Sequence, residues 1–525
     1  MRMAELELEG VDALPARGGA APAAAVARVD RAGWDGVARR VRAAGGWLVA
    51  LWGRRAAAGQ GAAVSAAYAL DDGLLWAELP LAAGEGYPDL GEAFPCAVRM
   101  QRAAFDLLGV RAEGACDTRP WLNHGHWPQD WHPLAQPVPA QASLLPPPAD
   151  AGGERPYPFV QVAGDGVHEI AVGPIHAGVI EPGHFRFSVV GEKVLRLEER
   201  LGYTHKGTEF LLERTPPLLG HRLAGRVSGD STVAFAWAYC MALETALGAP
   251  VPPRAQWLRA LMLERERVAN HLGDLGALGN DAGFAAGLAQ FSLLKEQWLR
   301  LHSDVFGHRY LMDRVVPGGV AAELAPSGVA ALAAQCGRVE HEVRLLQSIY
   351  DEHAGMQDRF AGTGTVARGL AEHFGLCGPA ARASGLRRDL RVDQPCAPYD
   401  ALRPRCAGHT AGDVAARVAV RFAETFESLR LIRAMLETLP AGPVTARPPA
   451  RGAGPARGVG RVEGWRGEVF VALELDADGA LARCHCHDPS WQNWPALEHA
   501  IIGNIVADFP LINKSFNLSY SGHDA

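Results

Sequence analysis

The chain has 525 residues, 48% hydrophobic and 21% charged, with a formal net charge of −7 at pH 7, so it is long enough for two or more domains with large cores and shows no basic surplus that would suit nucleic acid. Its nine cysteines are an odd number with no Cys-x-x-Cys pair. That usage excludes a disulfide framework and a thiolate cluster held by this chain alone, and it fits a reducing, cytoplasmic setting.

Residues 1–28 are rich in alanine and glycine and read as a flexible N-terminus. The early acids Glu5, Glu7 and Glu9 do not suit the basic start of a signal peptide. Residues 29–133 read as a small domain, with a helix over 34–44, strands over 47–52 and within 66–79, and helical spacing over 94–108. An aromatic tail over 121–131 reads first as packing and second as a place where His124 and His126 hold a metal. Residues 134–157 contain Pro146–Pro148 and Gly152-Gly153 and read as a linker. The remainder, 158–525, opens with a strand over 185–190 and a hairpin turn at Gly191-Glu192. Long helical patterns follow over 233–247, 254–275, 287–308, 327–360 and 411–439, the second opened by Pro252-Pro253. They predict a helical bundle. A loop over 440–458, strands over 466–474 and 481–486, and a helix over 494–506 complete the chain. No uncharged apolar run reaches the ~18–20 residues that span a bilayer. The fold class expected is α+β: a small N-terminal α/β domain, then a large, mainly helical-bundle domain with small peripheral sheets.

Two short segments share a spacing. Arg226-Val-Ser-Gly-Asp-Ser-Thr-Val-Ala-Phe235 sets Ser228 and Ser231 three apart, and Asp488-Pro-Ser-Trp-Gln-Asn493 does the same for Ser490 and Asn493. Five further segments stand out. Gly173-Pro-Ile-His-Ala-Gly-Val-Ile-Glu-Pro-Gly-His-Phe-Arg186 contains His176, Glu181 and His184. Arg200-Leu-Gly-Tyr-Thr-His-Lys-Gly-Thr-Glu209 contains Lys206. Gly279-Asn-Asp-Ala-Gly283 contains Asp281, Arg314-Val-Val-Pro-Gly-Gly-Val320 is glycine-rich, and Glu463-Gly-Trp-Arg-Gly467 contains Arg466. Cys484-His-Cys-His487 lies on a predicted strand, where period two sends cysteines and histidines to opposite faces, so the four do not converge on one ion.

Together these segments resemble the large subunit shared by membrane-bound nickel-iron hydrogenases of the formate hydrogenlyase and hydrogenase-4 type and by respiratory complex I. Residues 29–133 are similar to the 30-kDa-type complex I subunit, fused here in one chain. The resemblance implies a small iron–sulfur subunit as partner, with its cluster beside a cleft, and antiporter-like and other membrane subunits beyond. It implies a peripheral place on the cytoplasmic side of the cell membrane. Cofactors would be the partner's iron–sulfur cluster and, as one option, quinone. NAD binding is a label of the family only, since NAD would sit on another subunit and this chain lacks a Gly-x-Gly-x-x-Gly turn.

The resemblance also implies roles. Ser228, Ser231, Ser490 and Asn493 stand where hydrogenases have four cysteines, and Phe235 stands where many have a histidine. A serine hydroxyl stays protonated at pH 7 and is a poor ligand for nickel, so nickel is not expected and no metal is assigned to the chain. Glu181 matches a proton-passing glutamate, Arg466 an arginine over the metal, Asp488 the aspartate before the third cysteine, expected as an acceptor for that guanidinium, and Asp281 an aspartate coupled to a quinone-site histidine. The catalytic set is therefore Glu181, His184, Arg466, Asp488 and Asp281, with Ser228, Asp230, Ser231, His176 and Lys206 lining the cleft. Arg466 with an acid is alternatively a buried structural ion pair. Asp230 is left between pairing with Arg226, pairing with Arg466 and exposure at the cleft lip. His176 supplies one head-group donor and His184 substitutes for the second, while the tyrosine donor's position falls near Gly229. Lys206 replaces an arginine near the cluster, or is a solvated cation at a helix end. The function expected is an oxidoreductase subunit passing electrons from a partner's cluster to quinone or another acceptor, with coupled proton movement. The alternative is a non-catalytic scaffold between that partner and ion-translocating membrane subunits.

Overall fold

Alanine- and valine-rich strands build the first sheet of the computed structural model, which describes residues 2–6, 8, 10–14, 23–55, 61–125, 127–128, 130–136, 157–177, 180–449 and 454–525. The strands are β1 (Val11–Ala13), β2 (Ala24–Arg28), β3 (Trp47–Arg55), β4 (Ala62–Leu70) and β5 (Gly73–Leu81), in the order β1-β2-β5-β4-β3. Only the β2–β5 pair is parallel. Helices α1 (Arg31–Ala43) and α2 (Ala97–Leu108) bury Trp34, Val37, Val41 and Met100. Asp30 caps α1 by accepting from the Gly33 amide at 2.7 Å. The reading of 1–28 as flexible is corrected at 24–28, because Ala25, Val26 and Ala27 are small enough to be buried within the sheet. His126 and linker residues 137–156 lie outside the described residues.

A second sheet contains β6 (Val167–Val172), β7 (His184–Val190) and β8 (Lys193–Arg200), antiparallel with β7 central. The helical part follows: α3 (Thr232–Leu247), α4 (Pro253–Asp281), α5 (Ala285–Phe306), α6 (Pro326–Glu352) and α7 (Val414–Glu437). Helices α4, α5, α6 and α7 pack on one another as a bundle. One long helix was expected over 327–360, but it breaks at His353, which leaves helical geometry and caps Ala354–Phe360 by accepting from the Met356 amide at 3.1 Å. No helix among the described residues is long and apolar enough to cross a membrane.

The third sheet joins the two halves. It contains β9 (Ala456–Gly464), β10 (Gly467–Leu475) and β11 (Leu481–His487), antiparallel in that order. One face packs on the first sheet, where Val459, Phe470 and Ala472 meet Val49, Trp52 and Trp76. The other face carries α3, whose backbone comes so close that a Cβ on Gly458 or Gly460 would lie 1.8 Å from the carbonyl oxygen of Ala242 or Ala238. The expected helix over 494–506 begins earlier, as α8 (Ser490–Ala500), so the second motif forms its first turn. Helix α9 (Phe509–Phe516) ends in left-handed Asn517 and leads back to the same motif. The chain is α+β, with the β9–β10 turn, the start of α3, the start of α8 and the C-terminal segment converging on one place.

Candidate active site

Arg466 stands at that convergence. It follows Trp465 in the tight β9–β10 turn and is 6% exposed, and its guanidinium lies 3.9 Å from the Trp465 ring centroid. Its two terminal nitrogens each donate to one oxygen of Asp230 at 2.7 Å, a bidentate pair. Nε donates to the Asn517 carbonyl at 2.5 Å, and Nη1 reaches Ser231 Oγ at 3.4 Å. Asp230 is held from behind, since Asn270 and the Trp465 indole both donate to its carbonyl, at 2.7 and 3.0 Å. Its side chain is 38% exposed, so the pair lies at the edge of the site. Burial pushes the Asp230 carboxyl up, and Arg466 and Ser228 outweigh that and hold it below the usual carboxylate range.

The two serine-bearing motifs touch through a third hydroxyl. Ser228 Oγ donates to Asp230 Oδ1 at 2.8 Å and lies 2.8 Å from Ser519 Oγ. The Ser519 amide donates to Ser490 Oγ at 2.9 Å. Ser228, Ser231, Ser490, Asn493 and Ser519 are each no more than 3% exposed. Asn493 is turned away from these hydroxyls: its amide bonds the Cys377 backbone in both directions at 3.2 Å. Asp488 Oδ1 accepts from the Ser490 amide at 2.8 Å, and Oδ2 faces Gly522, where a Cβ would lie 2.4 Å away. Burial pushes the Asp488 carboxyl up, with Arg466 and Ser490 opposing.

The structure therefore brings together Ser228, Asp230, Ser231, Arg466 and Asp488, and it decides the partner of Arg466. The expectation that Asp488 accepts the guanidinium is corrected, because Asp230 takes both donors. Pairing of Asp230 with Arg226 is also corrected, since Arg226 forms its own bidentate pair with Asp313 at 2.7 and 2.9 Å. Lys206 donates to the carbonyls of Arg226 and Val227 at 2.9 Å, which fixes the strand-like entry to Ser228 from the surface side. Burial lowers its pKa, and Glu181 and Asp524 pull it back up.

Four expected residues stand apart from the Arg466 contacts. Glu181 is exposed and accepts from the Ser521 amide at 3.0 Å, two residues beyond Ser519. His176 Nε2 lies 2.8 Å from the Gly183 carbonyl, and His184 Nδ1 lies 3.2 Å from the Gly173 carbonyl, so the two histidines close one loop on itself. Burial holds His184 below the usual imidazole range. Asp281 ends α4 and pairs with Lys514 at 3.1 Å. It connects to the site through α4 itself, which carries Asn270, and through α9, whose capping Asn517 donates to Asp274 at 2.5 Å and accepts from Arg466. Ser519, Asn517, Asn270 and Glu266 were not singled out from the sequence. Glu266 accepts from the first amides of α3, Val233 at 2.6 Å and Ala234 at 3.2 Å, and burial pushes its carboxyl up to about 8. A buried glutamate between arginines in Glu264-Arg-Glu-Arg267 was the one signal available for it. Cys484 and Cys486 are buried on β11, while His485 lies 2.5 Å from Glu209 and stacks on Trp52, and His487 lies 3.0 Å from Gln492.

Comparison with known proteins supplies the wider setting. Residues 281–458 match the family described as respiratory-chain NADH dehydrogenase, 49 Kd subunit, and residues 27–143 match its 30 Kd subunit. Formate hydrogenlyase subunit 5 of Escherichia coli (strain K12) is 31% identical over 447 residues, covering 83% of this chain and 77% of that protein. The carbon monoxide-induced hydrogenase of Rhodospirillum rubrum is 34% identical over 352 residues, 67% of this chain and 97% of that one. Among solved structures, a chain of the membrane-bound sulfane sulfur reductase, described as an archaeal respiratory membrane complex, superposes with a TM-score of 0.65 at 25% identity. That match covers 68% of this chain and 98% of the other.

Proposed function

Because the chain belongs to the family that unites the 49-kDa and 30-kDa subunits of respiratory NADH dehydrogenase with the large subunits of formate hydrogenlyase and membrane-bound hydrogenases, we propose that it serves as the hydrogenase-like subunit of a membrane-associated redox complex, passing electrons from a partner's iron–sulfur cluster to quinone or another acceptor, without nickel. The chain is held on the cytoplasmic side of the membrane by its partners, a small iron–sulfur subunit and membrane subunits.

The observation that carries this reading is the bidentate Arg466–Asp230 pair between the two motifs, joined to the hydroxyls of Ser228 and Ser519. Hydroxyl and amide oxygens are hard, neutral donors, and a guanidinium already faces them. That set does not fit a nickel–iron centre, which needs soft, anionic thiolates. It does fit the stabilisation of negative charge on an acceptor: Arg466 supplies the positive charge, Asp230 stays ionised and fixes the guanidinium, and Asp488, whose carboxyl burial pushes up, is the nearby group suited to carry a proton. His176 and His184 each commit one ring nitrogen to a backbone carbonyl, so as head-group donors they use the other nitrogen or give up that bond. A scaffold role is favoured by one observation, that Asn493 and Ser490 are already bonded to Cys377, Ser519 and Asp488.

The intact complex distinguishes the two. With the terminal cluster reduced and a soluble quinone added, the cluster's electron paramagnetic resonance signal is expected to disappear rapidly, and Arg466→Ala is expected to slow that loss by about 10²-fold or more. A cluster that forms normally and stays reduced would favour the scaffold.

A further inference from the structure

Beneath the Arg466 turn lies a buried ionic cluster that the redox reading does not use. Four carboxyl groups, Glu264, Asp389, Glu424 and Glu463, face three guanidinium groups, Arg267, Arg382 and Arg391. None of the seven residues is more than 5% exposed. They come from α4, α7, β9 and the short helices around Arg382 and Arg391. With every group ionised, the cluster carries one uncompensated negative charge, a costly state in a low-dielectric interior.

The hydrogen bonds show which carboxyl is held least. Glu264 accepts from Arg391, from Arg267, and from the hydroxyls of Tyr399 at 2.7 Å and Ser428 at 2.6 Å. Asp389 accepts from Arg391 through both oxygens, at 3.0 and 2.6 Å. Glu424 accepts from Arg382 at 2.6 Å and lies 2.9 Å from His271. Glu463 has one guanidinium donor, Arg382 at 2.9 Å, and one backbone donor, the Leu390 amide at 3.1 Å. It also faces Glu468 across the β9–β10 pair, whose own partner is Arg461 at 2.6 Å. A cavity lined by Trp47, Cys377, Arg388, Asp393, Arg461 and Glu468 reaches Glu463 and Asp389 between the first sheet's edge and β9. Three residues after Glu463 comes Arg466, and Arg267 ties the carbonyls of Glu463 and Gly464 at the foot of the turn.

We propose that Glu463 is a proton-loading residue, taking a proton from water through the cavity beside Cys377 and returning it by the same route, and so setting the charge beneath the Arg466–Asp230 pair. The step is a proton transfer to a carboxylate, with no other bond changed and no electron moved. When Glu463 is protonated the cluster is neutral, and when it is ionised one negative charge lies beneath Arg466. The surroundings agree. Burial and the charge of Asp389 raise the Glu463 carboxyl to about 7 against the pull of Arg382 and Arg267, while burial keeps His271 below the usual imidazole range despite Glu424. Glu264 is driven the other way, to about 2, where Arg391 and Arg267 outweigh burial.

The test is infrared difference spectroscopy of the intact complex in light and heavy water as pH is stepped from about 5 to about 9. A protonated-carboxyl band is expected to vanish as pH rises through about 7 and to be missing in Glu463→Gln. Asp389→Asn removes the negative charge that raises Glu463 and is expected to move the midpoint down by about one pH unit. Glu266, raised to about 8, gives a second band that remains in every variant. A wild-type complex with no carboxyl band of midpoint near 7 overturns the proposal, as does a band of that midpoint undiminished in Glu463→Gln. If Glu463→Gln does not assemble, the wild-type titration and the direction of the Asp389→Asn shift decide. None of these readings depends on turnover in the cleft.

Discussion

A guanidinium that is 6% exposed has to find an anion or lose its hydration without return, and Arg466 finds Asp230 rather than the buried Asp488. Asp230 wins because the Ser228–Ser231 loop presents it edge-on to both terminal nitrogens, while Asp488 spends one oxygen on the Ser490 amide. Asp230→Asn keeps the shape and removes the charge. Because Asp230 is partly exposed, the expected loss is about 1–3 kcal/mol in urea unfolding, less than for a fully buried pair. In a double-mutant cycle with Arg466→Met, the two losses are expected to add to more than the double variant loses. Simple additivity would separate the two residues. The motif segments showed where this site would lie. They left three partners open for Asp230, because choosing among Arg226, Arg466 and solvent requires knowing where residues 226, 313 and 466 sit in space.

At the scale of an element, β9 was hidden because three glycines and three charged residues interrupt its two valines, where a buried strand usually shows a run of β-branched residues. Its glycines have a tertiary purpose. Gly458 and Gly460 let the α3 backbone lie directly on the sheet, and that contact fixes the Arg466 turn next to the start of α3. Gly460→Ala would put a carbon 1.8 Å from the Ala238 carbonyl and is expected to cost about 3 kcal/mol, measured by chemical unfolding. Gly337→Ala is the contrast. It sits on the exposed face of α6 with nothing within 4 Å of the new carbon, and it is expected to stabilise by about 0.5–1 kcal/mol. Equal effects at the two positions would contradict the packing argument. The long helices, by contrast, were legible because 3.6-residue periodicity is a local property, while the break at His353 depended on one side chain turning back to cap the next turn.

Over the whole molecule, the two halves are joined by sheet against sheet, with Arg457 bridging Glu474 and Glu78 at 3.0 and 2.7 Å. Buried carboxylates also link stability to pH. The folded-state pKa of Glu264 is depressed to about 2, so its contribution is present above the unfolded value near 4.5 and is lost as pH falls toward 2. Glu209 is held down to about 2 in the same sense, burial being outweighed by Arg483 and His485. Unfolding midpoints are therefore expected to fall as pH drops below about 4.5. In Glu264→Gln that acid-side slope is expected to shrink, at a cost at neutral pH of about 3–5 kcal/mol. An unchanged slope would mean that Glu264 is not ionised in the fold.

The sequence by itself determined the α+β class, the order of the long helices and the segments that carry the site. Periodicity, turn residues and motif spacing are local, and a single chain displays them without its fold. Tertiary structure alone decided that Asp230 neutralises Arg466, that Ser519 bridges the two motifs and that seven charged residues gather beneath the turn. Those residues lie up to hundreds of positions apart. Which opposite charges meet is set by the close approach of α3 to β9 and by the return of the C-terminal segment to the second motif, and no local pattern records either.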